Sequence, residues 1–138
     1  MKYMILTFAS QQHYQEMVGQ PTSRPAWTQE EWAALGAFMH DFNQQLVDSG
    51  ELVESRGLST PVRARRVGLK EGAAVVTDGP YAEAEEVLAG YWVVECESFD
   101  RATEIASRLA GCPGPEHVRG RAYADVRPID DHQPDFEG

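Results

Sequence analysis

The sequence predicts an α+β sandwich in which two helices cover one face of a sheet. Apolar, strand-like runs open the chain at Lys2 to Phe8 and recur at Leu88 to Cys96. Two segments with apolar residues three and four apart lie between strands, each begun by a capping residue. An Asp78-Gly79-Pro80 turn also stops the β-branched run Val75-Val76-Thr77, fixing one end of a strand.

The elements follow in order. Lys2 to Phe8 suits a central strand. Ser10 to Trp27 is polar, holds Gly19, Pro21 and Pro25, and reads as a long loop of the kind that covers a site. Thr28-x-x-Glu31 has the capping-box pattern. Behind it Trp32, Leu35, Met39, Phe42 and Leu46 form one helical stripe, with Phe38 on its flank and Gly50 as the stop. Leu52 to Leu58 reads as a second strand. Arg63 to Leu69 and Ala73 to Thr77 flank Lys70-Glu71-Gly72 as a hairpin. After the Asp-Gly-Pro turn, Leu88 to Cys96 is the strongest strand. Ser98 caps a second helix with a stripe of Ala102, Ile105, Ala106 and Leu109, and Ala122 to Val126 closes the fold. The order β-α-β, inserted hairpin, β-α-β is that of a ferredoxin-like βαββ(hairpin insert)βαβ sandwich. Tyr91, Trp92, Val93 and Val94 are apolar on both alternating sets, so a second subunit is expected over the bare sheet face. The expectation is a homodimer joined sheet to sheet.

Bulk properties narrow the function. With 138 residues the chain forms one domain, expected over 1–129, with an acidic tail at 130–138. A net charge of −10 argues against holding a nucleic-acid backbone or an anionic membrane. Arg63, Arg65, Arg66 and Lys70 gather on the hairpin and read as a solvated face. Cys96 and Cys112 match neither a disulfide framework nor a metal-binding pair. Met1-Lys2 leads straight into a strand, and the apolar stretch Val87 to Val94 is far short of the roughly 20 residues that span a bilayer. A soluble cytoplasmic protein is expected. No zinc pattern, phosphate-binding glycine loop or dinucleotide fingerprint is present, so no cofactor and no metal are expected.

On these residues the chain resembles the YCII-related family and, within it, the DGPF subgroup. Asp78-Gly79-Pro80-Tyr81-Ala82-Glu83 stands where the subgroup has Asp-Gly-Pro-Phe-Ala-Glu, and Leu88-Ala89-Gly90-Tyr91 where it has Gly-Gly-Tyr. Met1-Lys2-Tyr3-Met4, Gly57-Leu58 and Val126-Arg127-Pro128 match as well, so the likeness runs from Met1 to Pro128. The resemblance implies a ferredoxin-like domain that pairs into a dimeric α/β barrel, with no assigned activity for most of the subgroup. It also implies a link to extracytoplasmic-function sigma factors for some members. In the wider family a His–Asp pair is a proposed catalyst, and one branch eliminates chloride from a chlorinated hydroxyquinol without a cofactor. Three departures stand out: Tyr81 replaces Phe, Ala84-Glu85-Glu86 lacks the usual Thr-Lys, and Cys112-Pro113 falls where the family has Asp-Pro.

The candidate catalytic residues are His40 and Asp78. His40 lies about 100° from Met39 around the first helix, at the edge of the buried stripe, where an imidazole can act near neutral pH. Asp78 is a carboxylate at a strand end, although an Asx turn or a cap explains it as well. Tyr3, Ser55 and Tyr81 are the candidate ligand-binding residues, each also an ordinary amphipathic core type. His13 and Tyr14 in the long loop can cover a pocket or simply lie at the surface. His117 and Cys112 flank the exit of the second helix, and Cys112 has no base beside it in sequence. The expected function is the binding of a small organic molecule between helix and sheet, as an accessory protein with a possible link to a sigma factor. The alternative is a cofactor-free lyase or isomerase in which His40 and Asp78 transfer protons on a cyclic or phenolic substrate.

Overall fold

In a computed structural model that describes residues 1–22 and 24–130, strand β1 (Lys2–Ala9) holds the middle of the main sheet. It pairs antiparallel with β5 (Val87–Glu95) on one side and β6 (Ala124–Pro128) on the other, and β2 (Leu52–Gly57) pairs outside β5. The order β2-β5-β1-β6 is ferredoxin-like, as the sequence predicts. Residues 131–138 of the expected acidic tail lie outside the described residues.

Registers decide which side chains meet the helices. Tyr3 lies opposite Val94, and Ile5 opposite Trp92 and Val126, so these residues share one face of the sheet. Helices α2 (Gln29–Asp48) and α3 (Phe99–Ala110) lie on that face. Phe42 and Leu46 of α2, and Ala102, Ile105, Ala106 and Leu109 of α3, complete a core in which Ile5, Leu46, Val94 and Ile105 exclude solvent fully. Trp92 locks α2 down in two ways. Its indole Nε1 donates to Asn43 Oδ1 at 2.8 Å, and its ring meets Phe42 edge-on at 5.4 Å between centroids.

Both long helices start as their sequences require. Thr28 and Glu31 form a reciprocal capping box, and Ser98 Oγ accepts from the Arg101 amide. Trp32, expected on the buried stripe, is exposed. The stripe is carried instead by Phe42 and Leu46, with Phe38 and Met39 packed beside them. The largest difference lies before α2. The segment read as loop contains a helix, α1 (Gln11–Met17), capped by Ser10, whose Oγ accepts from the His13 amide at 3.1 Å. Seven residues are too few for an apolar period to show in sequence. Contacts hold α1 instead: Tyr14 Oη donates to the Leu58 carbonyl at 3.0 Å, and the Gln12 amide to the Glu83 carbonyl at 3.1 Å.

The inserted hairpin, β3 (Arg65–Lys70) and β4 (Ala73–Asp78), forms a separate two-stranded sheet exposed on both faces. Its turn is the expected Lys70-Glu71-Gly72, with Glu71 and Gly72 both at positive φ. In the main sheet the β1–β5 register shifts between Thr7 and Phe8, making Ala89 of β5 the extra residue of a bulge. Gly90 adjoins it with good reason: a Cβ there would stand 3.0 Å from the Arg56 carbonyl oxygen of β2.

A fork of hydrogen bonds ties α3 to the start of β2. Arg101 Nε donates to Glu51 Oε2 at 2.9 Å and Nη2 to Oε1 at 2.8 Å, both side chains largely buried. The Arg101 hydrogen bonds hold the Glu51 carboxyl down at about 2, against an ordinary 4.5. A lowered folded-state value means that the stabilisation is complete above the ordinary value and disappears as pH falls from 4.5 toward 2. Glu51→Gln is expected to cost about 1–3 kcal/mol at neutral pH. Urea unfolding at stepwise lower pH should show its gap to the parent protein closing across that window.

Candidate functional site

At the bulged end of the sheet a cavity of about 470 Å³ opens between sheet and helices. Its floor is Thr7, Phe8 and Ala9 of β1 with Ala89 of β5, the residues on either side of the bulge. Leu35 and Met39 of α2 and Leu109 of α3 form one wall, and Cys112, His117, Val118 and Tyr123 of the segment before β6 form another. The roof is the 10–28 segment, contributing His13, Tyr14 and Met17 from α1 with Arg24 and Trp27 behind it.

One carboxylate organises that roof. Glu16 on α1 has no solvent exposure, and a charge so placed needs partners. Oε1 accepts from Arg24 Nε at 2.5 Å and from the Thr22 hydroxyl at 3.1 Å, while Oε2 lies 3.2 Å from His117 Nε2. The Glu16 carbonyl also accepts from the amides of Gly19 and Trp27. Three segments far apart in sequence therefore meet at one side chain. Burial alone would raise its pKa, but the bonds from Arg24, His117 and Thr22 outweigh that and hold it below the ordinary carboxylate value.

Trp27 seals the roof. Its ring packs against Trp32 at 6.0 Å and meets His13 edge-on at 5.9 Å. The close approach depends on Gly114, where a Cβ would stand 3.2 Å from Trp27 Cη2. Trp27 is 8% exposed, and its Nε1 is a buried donor without an acceptor among the described residues. Phe8 stacks on Tyr123 at 5.6 Å, and Tyr123 Oη donates to Glu86 Oε2 at 2.7 Å, clasping the far rim.

His13 sits one helical turn before Glu16, on the same side of α1. Its ring meets Trp27, and among the described residues neither ring nitrogen has a hydrogen-bond partner. Burial pushes its pKa below the ordinary 6.5, and Arg24 and His117 add to that against the opposing pull of Glu16 and Glu86. The imidazole is thus neutral at pH 7, able to accept a proton. Cys112 lines the same cavity, but burial pushes its thiol up, away from a reactive thiolate.

The five residues singled out from sequence are not brought together. His40 is exposed on α2, and the neighbour that lines the cavity is Met39. Asp78, also exposed, ends β4 with its carboxylate 2.9 Å from Arg65 Nε across the hairpin. Tyr81 lies beneath the Arg66 guanidinium, 5.5 Å from its ring centroid. Tyr3 is buried in the core with its hydroxyl near Met1 Sδ, and Ser55 sits opposite Trp92 in the sheet. The site is instead built on His13, Tyr14, Glu16, Arg24, Trp27 and His117. In sequence only the position of His13 and Tyr14 in a covering segment, and of His117 and Cys112 at the exit of the second helix, pointed there.

No helix among the described residues is long and apolar enough to cross a membrane. The described residues also hold no cluster of three or more His, Cys, Asp or Glu that could grip a metal ion. The profile of the YCII-related domain matches residues 1–117, so the chain belongs to that family. It is also 29% identical over 85 residues to an uncharacterized protein of Rhizobium meliloti (strain 1021), a match covering 62% of this chain and 68% of that protein.

Glu16→Gln is expected to cost about 2–4 kcal/mol, since it removes the charge that Arg24 and His117 answer. Thermal unfolding should show the loss, and chymotrypsin should cut after Trp27 faster than in the parent protein. Because the folded-state value is lowered, the difference is full above 4.5 and fades as pH falls through that folded value.

Proposed function

We propose that this member of the YCII-related family holds a small, flat organic molecule in the cavity beneath the 10–28 segment. The carrying observation is the cavity itself. Its volume of about 470 Å³ lies in the ordinary range for small-molecule sites, roughly 300–1,000 Å³. Its walls alternate aromatic surface, from Phe8, Trp27 and Tyr123, with polar groups from His13, Tyr14, Arg24 and His117. Such a lining suits a ring carrying a hydroxyl or carbonyl. The orphan Nε1–H of Trp27 adds a donor in want of an acceptor. Proton transfer by His40 and Asp78 is the less favoured reading, because neither lines the cavity.

The same reading seats a second copy on the sheet face away from the helices. Met4 lies opposite Val93, and Leu6 opposite Tyr91, on that face; Met4, Leu6 and Tyr91 stay partly exposed there, while Val93 is buried. Sedimentation at micromolar concentration is expected to give twice the 15.3 kDa chain mass. Leu6→Asp, placing a charge in the seam, is expected to halve it.

A phenolic probe tests the cavity. On titration with 1-naphthol, amide NMR shifts are expected at Ser10, His13, Tyr14 and Trp27. Ala122→Trp, which fills space in the cavity wall, is expected to abolish them while the protein stays folded. Unchanged binding in the filled variant would place the ligand elsewhere.

A further inference from the structure

We propose that the cavity receives an organic carboxylate, whose oxygens are held by the terminal nitrogens of Arg24 and, at the mouth, by the guanidinium of Arg121. This rests on the cavity being a small-molecule site and names the chemical class that the site selects.

The side chains around the cavity leave donors over rather than acceptors. Glu86 is the one carboxylate on the lining. It sits exposed at the rim, and its Oε2 takes the Tyr123 hydroxyl. Glu16, in the roof, is answered by Arg24 and Thr22 at Oε1 and by His117 at Oε2. Ser10 Oγ caps α1, and the hydroxyls of Thr7 and Tyr14 bond to backbone carbonyls. On the donor side, Arg24 uses only Nε on Glu16, so its two terminal nitrogens have no partner among the described residues. Arg121 lines the cavity, and its side chain has no hydrogen bond or ion pair among the described residues. Trp27 Nε1 is a third donor without an acceptor, shut off from water. The other buried orphan, Gln15 Oε1, is an acceptor, but it does not line the cavity. His13 brings one donor and one acceptor in either neutral tautomer, so it leaves the balance unchanged. Donors left unpaired around one cavity are satisfied together by a ligand rich in acceptors.

Among acceptor groups a carboxylate matches best. Its two oxygens suit the planar fork of an arginine, and the charge strengthens each bond. Glu16 prepares that fork. It is wholly buried and holds Arg24 Nε at 2.5 Å, which anchors the guanidinium by one nitrogen while Arg24 still lines the cavity. Because Glu16 already balances the Arg24 charge, the ligand's own charge needs a second cation, and Arg121 is there. Glu86 opposes it from the rim. Both rim groups are exposed, so water screens them and their net effect is small beside that of the Arg24 fork. Leu35, Met39, Leu109 and Val118 give the rest of the cavity an aliphatic wall. The ligand is therefore a small acid with an apolar body, not a sugar acid or a dicarboxylate.

Two probes that share one apolar body isolate the carboxylate. 1-Naphthoate carries it, and 1-naphthalenemethanol has a neutral hydroxymethyl group in its place. By calorimetric titration at neutral pH, the full-length protein is expected to bind the acid about 10-fold tighter than the alcohol. Arg24→Lys keeps a cation for Glu16 but loses the fork, and should remove almost all of that preference. Arg121→Met, at the exposed mouth, should reduce the preference about 3-fold. Affinity for the alcohol reports that the cavity is intact in each variant. Arg121 lies outside the Glu16 cluster, so its variant keeps the test decisive if Arg24→Lys does not fold. Equal affinity of the parent protein for acid and alcohol, or an unchanged preference in a folded variant of either arginine, overturns the carboxylate assignment while the binding site stands. If the parent protein binds neither of these probes nor 1-naphthol, the cavity reading fails and the inference fails with it.

Discussion

The Glu16 carboxylate is the constraint on which the site depends. An ionised side chain with no exposure to water is tolerated only when its desolvation is offset by short, well-aimed partners. Here the partners come from the same short helix's exit, from Arg24 and Thr22, and from His117, 101 residues away in sequence. Moving any one segment strands the charge. The 10–28 segment and the turn before β6 are thus held together by the Glu16 ion pairs together with the packing of Trp27 against Gly114, and the cavity lies beneath that roof at the sheet end.

The sheet supplies the other half. A regular β1–β5 ladder would carry its alternation to the strand ends and close against the helices as it does around Ile5 and Trp92. The shift between Thr7 and Phe8 breaks that alternation. Gly90 lets β2 approach at the same level, and Phe8 turns onto Tyr123 while Ala89 presents its carbonyl to Leu58 and Tyr14. The core packs below the bulge, and the cavity begins above it. One irregularity in one ladder divides the packed core from the residues that line the cavity.

The same division explains what could be read from the sequence. Thr28-x-x-Glu31, the Ser98 cap, the Lys70-Glu71-Gly72 turn and the strand at Leu88 to Cys96 are local signals, and each appears in the structure within a residue or two. Helix α1 was hidden because seven residues carry no readable period. Glu16 was hidden because a glutamate in a polar stretch reads as solvated, and nothing local announces an arginine eight residues on or a histidine in another loop. The Asp78-Gly79-Pro80-Tyr81 turn drew attention as the least generic stretch, but its side chains engage the hairpin: Asp78 meets Arg65, and Tyr81 meets Arg66. The bond from the Gln12 amide to the Glu83 carbonyl ties the segment after that turn to α1. The turn thus acts on the site through backbone placement, a role that residue chemistry does not advertise.

Closing the roof and shifting the His13 imidazole are one event. The burial that Trp27, Gly114 and the Glu16 cluster impose on the cavity is also what desolvates His13 and keeps it neutral. A roof that opened would rehydrate the imidazole, move its pKa back toward the ordinary value, and admit water to compete for its nitrogens. Cys112 meets the opposite consequence of the same walls, because desolvation that favours a neutral base disfavours a thiolate. The same burial therefore favours the neutral form of both groups, the imidazole of His13 and the thiol of Cys112. For His13 the charges of Arg24 and His117 act in the same direction as burial, whereas for Cys112 burial is the main cause.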